Sequence, residues 1–223
     1  MNKIIQFGEN SQGFNFRVLN EREVRAAAGI LFLATFIGAA FVEFRDNFLP
    51  IKYVLTVFLL DFIIRVFINP KFSPTLILGR LLVSNQTPEY VGAQQKKFAW
   101  IIGVSLSAIM FTLMVVVNSY SVITGVICII CLLFLFFESA FGICLGCLFY
   151  PLFHKEKAQR CPGEVCDKRS RQNIQKISGA QLIVVLAFAA FVLAGAWVFS
   201  ERYSKQPYDL FDGAPSTIVR SVK

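Results

Sequence analysis

Three close pairs of cysteines account for all six cysteines of this 223-residue chain. Thiols at such spacings can bind a metal, exchange disulfides or carry sulfur. They are therefore the residues of this sequence that point to chemistry. The pairs are Cys128 and Cys131, Cys144 and Cys147, and Cys161 and Cys166.

The second and third pairs have a spacing that suits one shared site. Cys144 and Cys147 flank Gly146, which loosens the backbone near the end of an apolar stretch. The third pair encloses Pro162 and Gly163, a turn that lets both of its thiols face one point. Two close cysteine pairs are typical of tetrahedral zinc sites with four thiolates. Zinc is therefore the candidate cofactor.

Three interpretations of these four thiols stay open. They can hold a structural metal, or they can have no chemical role. In the third, Cys144 and Cys147 are reactive toward thiols or sulfane sulfur, and Cys161 and Cys166 are resolving or receiving partners. His154, the only histidine, is either an alternative ligand or an interfacial residue. Several nearby side chains would favour the thiolate form: Lys155, Lys157, Arg160 and Lys168.

The composition predicts a membrane protein around this cluster. Hydrophobic residues make up 56% of the chain, 24 residues are phenylalanine, and the mean hydropathy is +0.61. Since a membrane-spanning helix needs about 20 apolar residues, we expect an all-α integral membrane protein with about five transmembrane helices. The expected spans cover residues 26–42, 53–68, 98–117, 121–137 and 182–199. Cys128 and Cys131 fall inside the fourth span, where we expect them to act as small apolar side chains.

Most of the 22 lysines and arginines lie before the first span, between the second and third, and between the fourth and fifth. Cytoplasmic loops are enriched in these residues, so the N-terminus is predicted inside and the C-terminus outside. This assigns residues 1–25 to the cytoplasm, 26–200 to the transmembrane domain and 201–223 to a periplasmic tail. The cysteine-containing loop 144–178 is then cytoplasmic, where thiols stay reduced. The net charge of +8 reflects this topology, not binding to nucleic acid.

Local signals predict how several segments begin. Asn20 is an N-cap, and Glu23 follows it at the spacing of a capping box. Ser73 and Pro74 start a short interfacial helix near residues 74–83, from which Arg80 can reach the headgroups. The tail 201–223 is too short to fold alone, so we expect it to be disordered or held by a partner.

Three ionisable residues are informative, two inside the predicted second span and one just after the fourth, because a charge at the centre of a membrane helix costs about 2.5–3.5 kcal/mol. Asp61 and Arg65 are four residues apart and can pair on one helix face. Such a pair more often joins helices than conducts protons. Glu138 faces the same side of its helix as Cys131. It can complete a polar seam there, reach the inner headgroups or accept hydrogen bonds from a neighbouring helix.

Several motifs together resemble a bacterial membrane-protein family described as domain of unknown function 4395. They are VLNEREVRAAAG at residues 18–29, DFIIR at 61–65 with FSP at 72–74, GAQQKKFA at 92–99 and GICLGCLFY at 142–150. The resemblance spans roughly residues 18–150. It implies a bacterial inner-membrane protein with four core helices, whose relatives occur beside sulfurtransferase-like and thioredoxin-like proteins, and it brings no established activity. Cys161, Cys166 and the fifth span lie beyond it.

Two functional hypotheses remain. In the first, the protein handles thiols or sulfane sulfur at the cytoplasmic face of the inner membrane. In the second, it is a non-catalytic scaffold or complex subunit whose four cysteines hold zinc. Besides the lipid bilayer, the expected partners are a sulfurtransferase-like or thioredoxin-like protein, or a larger membrane complex. A serine or cysteine hydrolase is disfavoured, because His154 has no positioned acid beside it.

Overall fold

A computed structural model of the chain describes residues 7–10, 16–148 and 177–209. The described part is mostly helical, which confirms the predicted all-α class. Among these residues, four helices are long and apolar enough to cross a membrane. In chain order the elements are β1 (Val18–Asn20), α1 (Glu21–Arg45), α2 (Leu49–Ile63), α3 (Pro74–Leu82), β2 (Tyr90–Gly92), α4 (Ala93–Phe111), β3 (Ser119–Tyr120), α5 (Val122–Phe136), α6 (Leu145–Leu148), α7 (Gly179–Val198), α8 (Ser200–Ser204) and β4 (Tyr208–Asp209).

The four long apolar helices are α1, α4, α5 and α7. Three helices continue into a π-helical turn: α2 through Ile64–Ile68, α4 through Thr112–Val117 and α5 through Phe137–Phe141. The predicted second span corresponds to α2 and its π-helical turn. This segment carries Lys52, Asp61 and Arg65 and is not one of the four.

Two short strand pairs close the two ends of the helix bundle. β1 pairs antiparallel with β2, and Val18 lies opposite Gly92. β3 pairs in parallel with β4, and Ser119 lies opposite Tyr208. Since α4 runs from β2 to β3, the pairs lie at opposite ends. We call the end where α1 and α4 begin and α2 and α5 terminate the cysteine end, because Cys144 follows α5 there.

The start of α1 departs in one detail from the predicted capping box. Asn20 is the N-cap, and its side-chain oxygen accepts a hydrogen bond from the backbone N–H of Arg22. Glu23 contacts the Asn20 side chain at 2.9 Å rather than the Asn20 backbone. The second carboxylate oxygen of Glu23 is 2.9 Å from a guanidinium nitrogen of Arg80. Glu23 therefore both caps α1 and binds another helix.

The predicted short helix near residues 74–83 is present as α3. Ser73 caps it and Pro74 occupies its first position, as expected. The prediction that Arg80 reaches the headgroups is wrong, because this side chain is buried against Glu23. Gly79 explains the close approach: a Cβ atom there would lie 2.6 Å from the Glu23 carbonyl oxygen. α3 thus packs directly on the backbone of α1.

Apolar packing fills the bundle in two clusters. The cluster toward the cysteine end joins α1, α2, α4 and α5, and its aromatic members include the stacked rings of Phe58 and Phe62, with centroids 4.5 Å apart. The cluster at the opposite end consists of Phe48, Ile51, Leu55, Met110 and Met114. Together the clusters fix the mutual arrangement of these four helices.

The C-terminal segment packs against the rest of the chain at both ends of α7. At the cysteine end, Gln181 is fully buried and donates a hydrogen bond to the carbonyl oxygen of Lys71 at 2.8 Å. At the opposite end, Lys52 donates to the carbonyl oxygen of Lys205 at 2.7 Å, and the rings of Tyr53 and Tyr203 stack. Residues 201–209 are therefore held by the chain itself, which corrects the expectation for the first part of the tail. Residues 210–223 lie outside the described residues.

Asp61 and Arg65 pair as predicted, within a larger network. The Arg65 Nε atom donates to Asp61 Oδ2 at 2.7 Å, and neither side chain is more than 2% exposed. Ser73 Oγ donates to Asp61 Oδ1 at 2.7 Å. Thr75 donates to the same carboxylate through its backbone N–H and its hydroxyl, at 3.0 and 2.7 Å. The ion pair thus anchors the start of α3 to the end of α2.

This network predicts a coupled loss of stability. Replacing Arg65 with alanine leaves the Asp61 carboxylate buried without its cation, which should cost about 3–5 kcal/mol. Adding Asp61→Asn to Arg65→Ala should restore part of that loss, since the uncompensated charge is removed. Thermal unfolding in detergent and the accumulated amount of protein measure both effects. The control Arg45→Ala, at an exposed position, should be neutral. Additive losses in the double variant would contradict the coupling.

Candidate functional site

The turn after α5 brings the second cysteine pair together. Gly142 ends the π-helical turn of α5 in the left-handed region, with a φ angle of 66°. The short helix α6 follows, and the Cys147 N–H donates to the Cys144 carbonyl oxygen at 3.0 Å. This geometry places the two Sγ atoms 2.7 Å apart, with both residues half-buried. The two thiols are therefore in direct contact.

α6 is held in place by close packing at a glycine. A Cβ atom on Gly146 would lie 2.7 Å from the Cβ atom of Ala99 in α4. The sequence suggested that Gly146 loosens the backbone, but its role in the structure is to let α6 touch α4. Arg25 supports the preceding turn, because its guanidinium donates to the Ala140 carbonyl oxygen at 3.3 Å. The cysteine pair thus rests on α1 and α4.

A buried lysine lies next to the cysteine pair. The Lys96 ammonium forms ion pairs with Glu138 at the end of α5 and with Glu21 at the start of α1, the latter at 2.8 Å. Lys96 is 1% exposed, and sequence reasoning counted it only as a loop charge. Glu138 therefore accepts hydrogen bonds from a neighbouring helix, which was one of the three predicted alternatives. The negative charge of Glu138 and the positive charge of Lys96 both affect the pKa of Cys144.

The surroundings of Cys144 favour its protonated form. Its hydrogen bond with Cys147 and its burial raise the pKa of Cys144 well above the usual value of a thiol. The negative charge of Glu138 raises this pKa further, whereas the Lys96 ammonium opposes the shift. The basic residues expected to favour thiolate lie at 155–168, outside the described residues. Cys144 is therefore mostly protonated at neutral pH.

A cavity of about 60 Å³ opens beside Cys144. Its walls come from α1, α2, α4, α5 and α6 and are mostly apolar, with four aromatic rings among them. The side chains with polar or sulfur atoms in its lining are Arg65, Trp100, Cys131, Glu138 and Cys144. Concave apolar sites with a few convergent polar groups are the usual form of ligand sites. The predicted common face of Cys131 and Glu138 is confirmed, because both residues line this cavity.

π-Helical turns place both charged residues of the lining. Arg65 lies in the turn Ile64–Ile68, and Glu138 lies in the turn Phe137–Phe141. A π-helical turn changes the direction in which its side chains point, and such turns are frequent at functional sites. No local sequence pattern predicts these two π-helical turns. The Arg65 guanidinium also stacks on two aromatic rings, with centroid distances of 4.6 Å to Phe62 and 5.2 Å to Trp100.

The remaining candidate residues fall into two groups. Cys128 packs against the apolar cluster at the opposite end of the bundle, as expected of a small apolar side chain. Cys161, Cys166 and His154 lie outside the described residues. Within the described ranges, no group of three or more histidine, cysteine, aspartate or glutamate residues is arranged to hold a metal ion. A zinc site with four thiolates thus stays a prediction.

Comparison with known proteins gives one match. The sequence model of a protein family described as "Domain of unknown function (DUF4395)" matches residues 19–155. No curated protein and no solved structure matches the chain. The matched region contains the cysteine pair, Lys96 and the whole lining of the cavity, whereas Cys161, Cys166 and α7 lie beyond it. The family description names no reaction.

The raised pKa of Cys144 predicts how its reactivity depends on pH. Only the thiolate reacts with iodoacetamide. The alkylation rate of Cys144 should therefore keep rising above about pH 8.5, where an ordinary thiol is half ionised. Replacing Cys147 with alanine removes the hydrogen bond that contributes most to the shift, so the curve should move to lower pH. Mass spectrometry of the peptide that contains Cys144 measures the rate.

The replacement Cys128→Ala is the matched control for this experiment, because Cys128 lies in the other apolar cluster and should leave the curve unchanged. Two results together would contradict the raised pKa of Cys144. They are complete alkylation of Cys144 at neutral pH and identical pH curves for the wild type and Cys147→Ala.

Proposed function

We propose that this chain, which belongs to the family described as Domain of unknown function (DUF4395), is a bacterial inner-membrane protein that uses Cys144 and Cys147 for thiol–disulfide and sulfur chemistry. The observation that carries this proposal is the direct contact of the two thiols, 2.7 Å apart, at the edge of a cavity. Two thiols so close can form a disulfide without a large movement of the backbone.

The proposed reaction is exchange with a disulfide of a partner protein. One thiolate of the pair attacks a sulfur of the partner disulfide, and the partner's other sulfur leaves as a thiolate that takes up a proton. The second thiol of the pair then loses its proton and attacks the mixed disulfide. The products are the Cys144–Cys147 disulfide and a partner dithiol. Two electrons and two protons pass from this chain to the partner, and the reverse direction is equally allowed.

The neighbouring ion pairs support this chemistry. The Lys96 ammonium interacts electrostatically with both thiols, so it stabilises a thiolate at either position. Glu138 lines the same cavity as Cys144 and holds the Lys96 ammonium near the thiols through its ion pair. Cys161 and Cys166 are the proposed thiols that receive the disulfide or sulfur from this pair. A sulfurtransferase-like or thioredoxin-like protein is the proposed partner.

We further propose five membrane crossings, with the N-terminus in the cytoplasm. Four helices have the length and apolar character for this, and α2 with its π-helical turn supplies the remaining crossing. The Asp61–Arg65 network supports α2 as a crossing, because both charges are paired and buried. The excess of lysine and arginine in alternate segments then assigns the cysteine end to the cytoplasm.

The redox proposal predicts a reversible disulfide in the purified full-length protein. Equilibration with mixtures of oxidised and reduced dithiothreitol should link Cys144 to Cys147, as read by differential alkylation and mass spectrometry. Cys147→Ser should abolish this link, whereas Cys128→Ser should leave its midpoint unchanged. Metal analysis of the same sample decides the alternative scaffold function. Stoichiometric zinc that is lost in Cys144→Ser, with thiols that resist oxidation, would overturn the redox proposal.

The topology proposal predicts the activity of reporter fusions. An alkaline phosphatase fused after Lys223 should be active, because that enzyme folds only in the oxidising periplasm. Alkaline phosphatase fused after Lys157 should be inactive. A reporter that is active only in the cytoplasm should be active at the same position. An inactive phosphatase at Lys223 would reduce the number of crossings to four.

A further inference from the structure

We infer that the cavity beside Cys144 binds hydrogen sulfide, which reacts there with the Cys144–Cys147 disulfide to leave a persulfide on Cys144. The inference rests on the proposed function, because it requires that the pair forms a disulfide. It adds the substrate class and assigns different roles to the two cysteines.

The size of the cavity selects the ligand. A water molecule takes up about 30 Å³ in the liquid, and an engineered protein cavity that binds benzene measures about 150 Å³. The volume of about 60 Å³ beside Cys144 is less than half that of the benzene-binding cavity, so it suits a ligand of a few heavy atoms and not an aromatic ring. Hydrogen sulfide has one heavy atom, and the outer sulfur of a persulfide occupies the same space.

The walls of the cavity suit sulfur better than water. Phe58, Phe62, Trp100 and Phe134 contribute aromatic surface to the lining. Sulfur is polarizable and makes favourable contacts with aromatic rings. The lining is thus selective for a small, soft ligand.

The charges around the cavity favour a neutral ligand. Arg65 is paired with Asp61, Lys96 is paired with Glu21 and Glu138, and the Arg25 guanidinium lies beside the turn before Cys144, so these charges balance. Burying an unpaired anion among apolar walls is costly. Sulfite and thiosulfate are therefore poor ligands here, whereas hydrogen sulfide can enter as the uncharged molecule and lose a proton on reaction.

The position of the two sulfurs decides which one reacts. Cys144 lines the cavity, whereas Cys147 does not. The sulfur of hydrogen sulfide attacks Cys144 Sγ, so a new S–S bond forms and the Cys144–Cys147 bond breaks. Cys147 leaves as a thiolate that the Lys96 ammonium stabilises, and it takes the proton released by hydrogen sulfide. The sulfide is oxidised to sulfane sulfur, and the disulfide is reduced. The partner disulfide of the proposed function supplies the oxidising equivalents.

The test compares two reductants of the same disulfide. Full-length protein in detergent is oxidised with oxidised dithiothreitol, freed of reagent and treated with sodium sulfide. We expect an added sulfur atom on Cys144, trapped by alkylation and located by mass spectrometry. Reduced dithiothreitol, which approaches from the surface, serves as the second reductant.

Ala28→Val narrows the cavity, because Ala28 is a buried part of its lining. It should slow the reaction with sulfide roughly tenfold or more, the usual effect of a misplaced methyl group in an apolar pocket. Reduction by dithiothreitol should not change. The matched control Ala34→Val adds the same methyl groups to α1 away from the cavity. Leu106→Phe, from α4, is a second variant that narrows the cavity.

The outcomes separate the two proposals. An added sulfur on Cys147, or equal rates with sulfide in Ala28→Val and Ala34→Val, overturns the cavity inference and leaves the redox pair intact. The cavity inference is also overturned if neither Ala28→Val nor Leu106→Phe slows the reaction with sulfide relative to the reaction with dithiothreitol. Failure of the wild type to form the Cys144–Cys147 disulfide overturns the proposed function, and the inference with it.

Discussion

The pairing of buried charges is the constraint on which the arrangement of this bundle depends. Lys96, Arg65 and Arg80 are each at most 5% exposed, and an unpaired charge in such a position would cost several kcal/mol. Each of these cations binds a carboxylate, and the pairs of Lys96 and Arg80 join different helices. The contacts are Lys96 with Glu21 and Glu138, Arg65 with Asp61, and Arg80 with Glu23. The pairs of Lys96 and Arg80 connect α1, α3, α4 and α5 at one end of the molecule, and the Asp61–Arg65 pair joins α2 to the start of α3 through Ser73 and Thr75.

The cysteine pair lies at the same end, and this placement has a chemical consequence. A site between helices that are joined by ion pairs is rigid, and its charges are already oriented before a ligand arrives. The lining of the cavity beside Cys144 includes Arg65 and Glu138, each from a π-helical turn. The groups that stabilise the fold are therefore also the groups that set the polarity of the site. Stability and chemistry share the same residues, so a variant at Lys96 would affect both.

Sequence reasoning succeeded where the signal is local. The all-α class, the start of α3 at Ser73 and the i, i+4 pair of Asp61 and Arg65 all follow from spacing along one helix or at its end, and the structure confirms them. The same reasoning failed for Arg80, whose partner Glu23 is far away along the chain. The contribution of Lys96 was missed for the same reason, since a lysine near a helix start reads as a loop charge unless its two acidic partners are known.

The sequence by itself determined the family, the apolar helices and the cysteine spacing, because hydrophobic runs and short-range motifs need no partner to be read. Only the tertiary structure decided that the Cys144 and Cys147 thiols touch, that Gly146 makes room for α4, and that a cavity opens beside Cys144. These features arise from contacts between helices that are distant in sequence. They also arise from π-helical turns that no local sequence pattern predicts. Pairing of buried charges and close packing act through space, so their outcome depends on the whole fold.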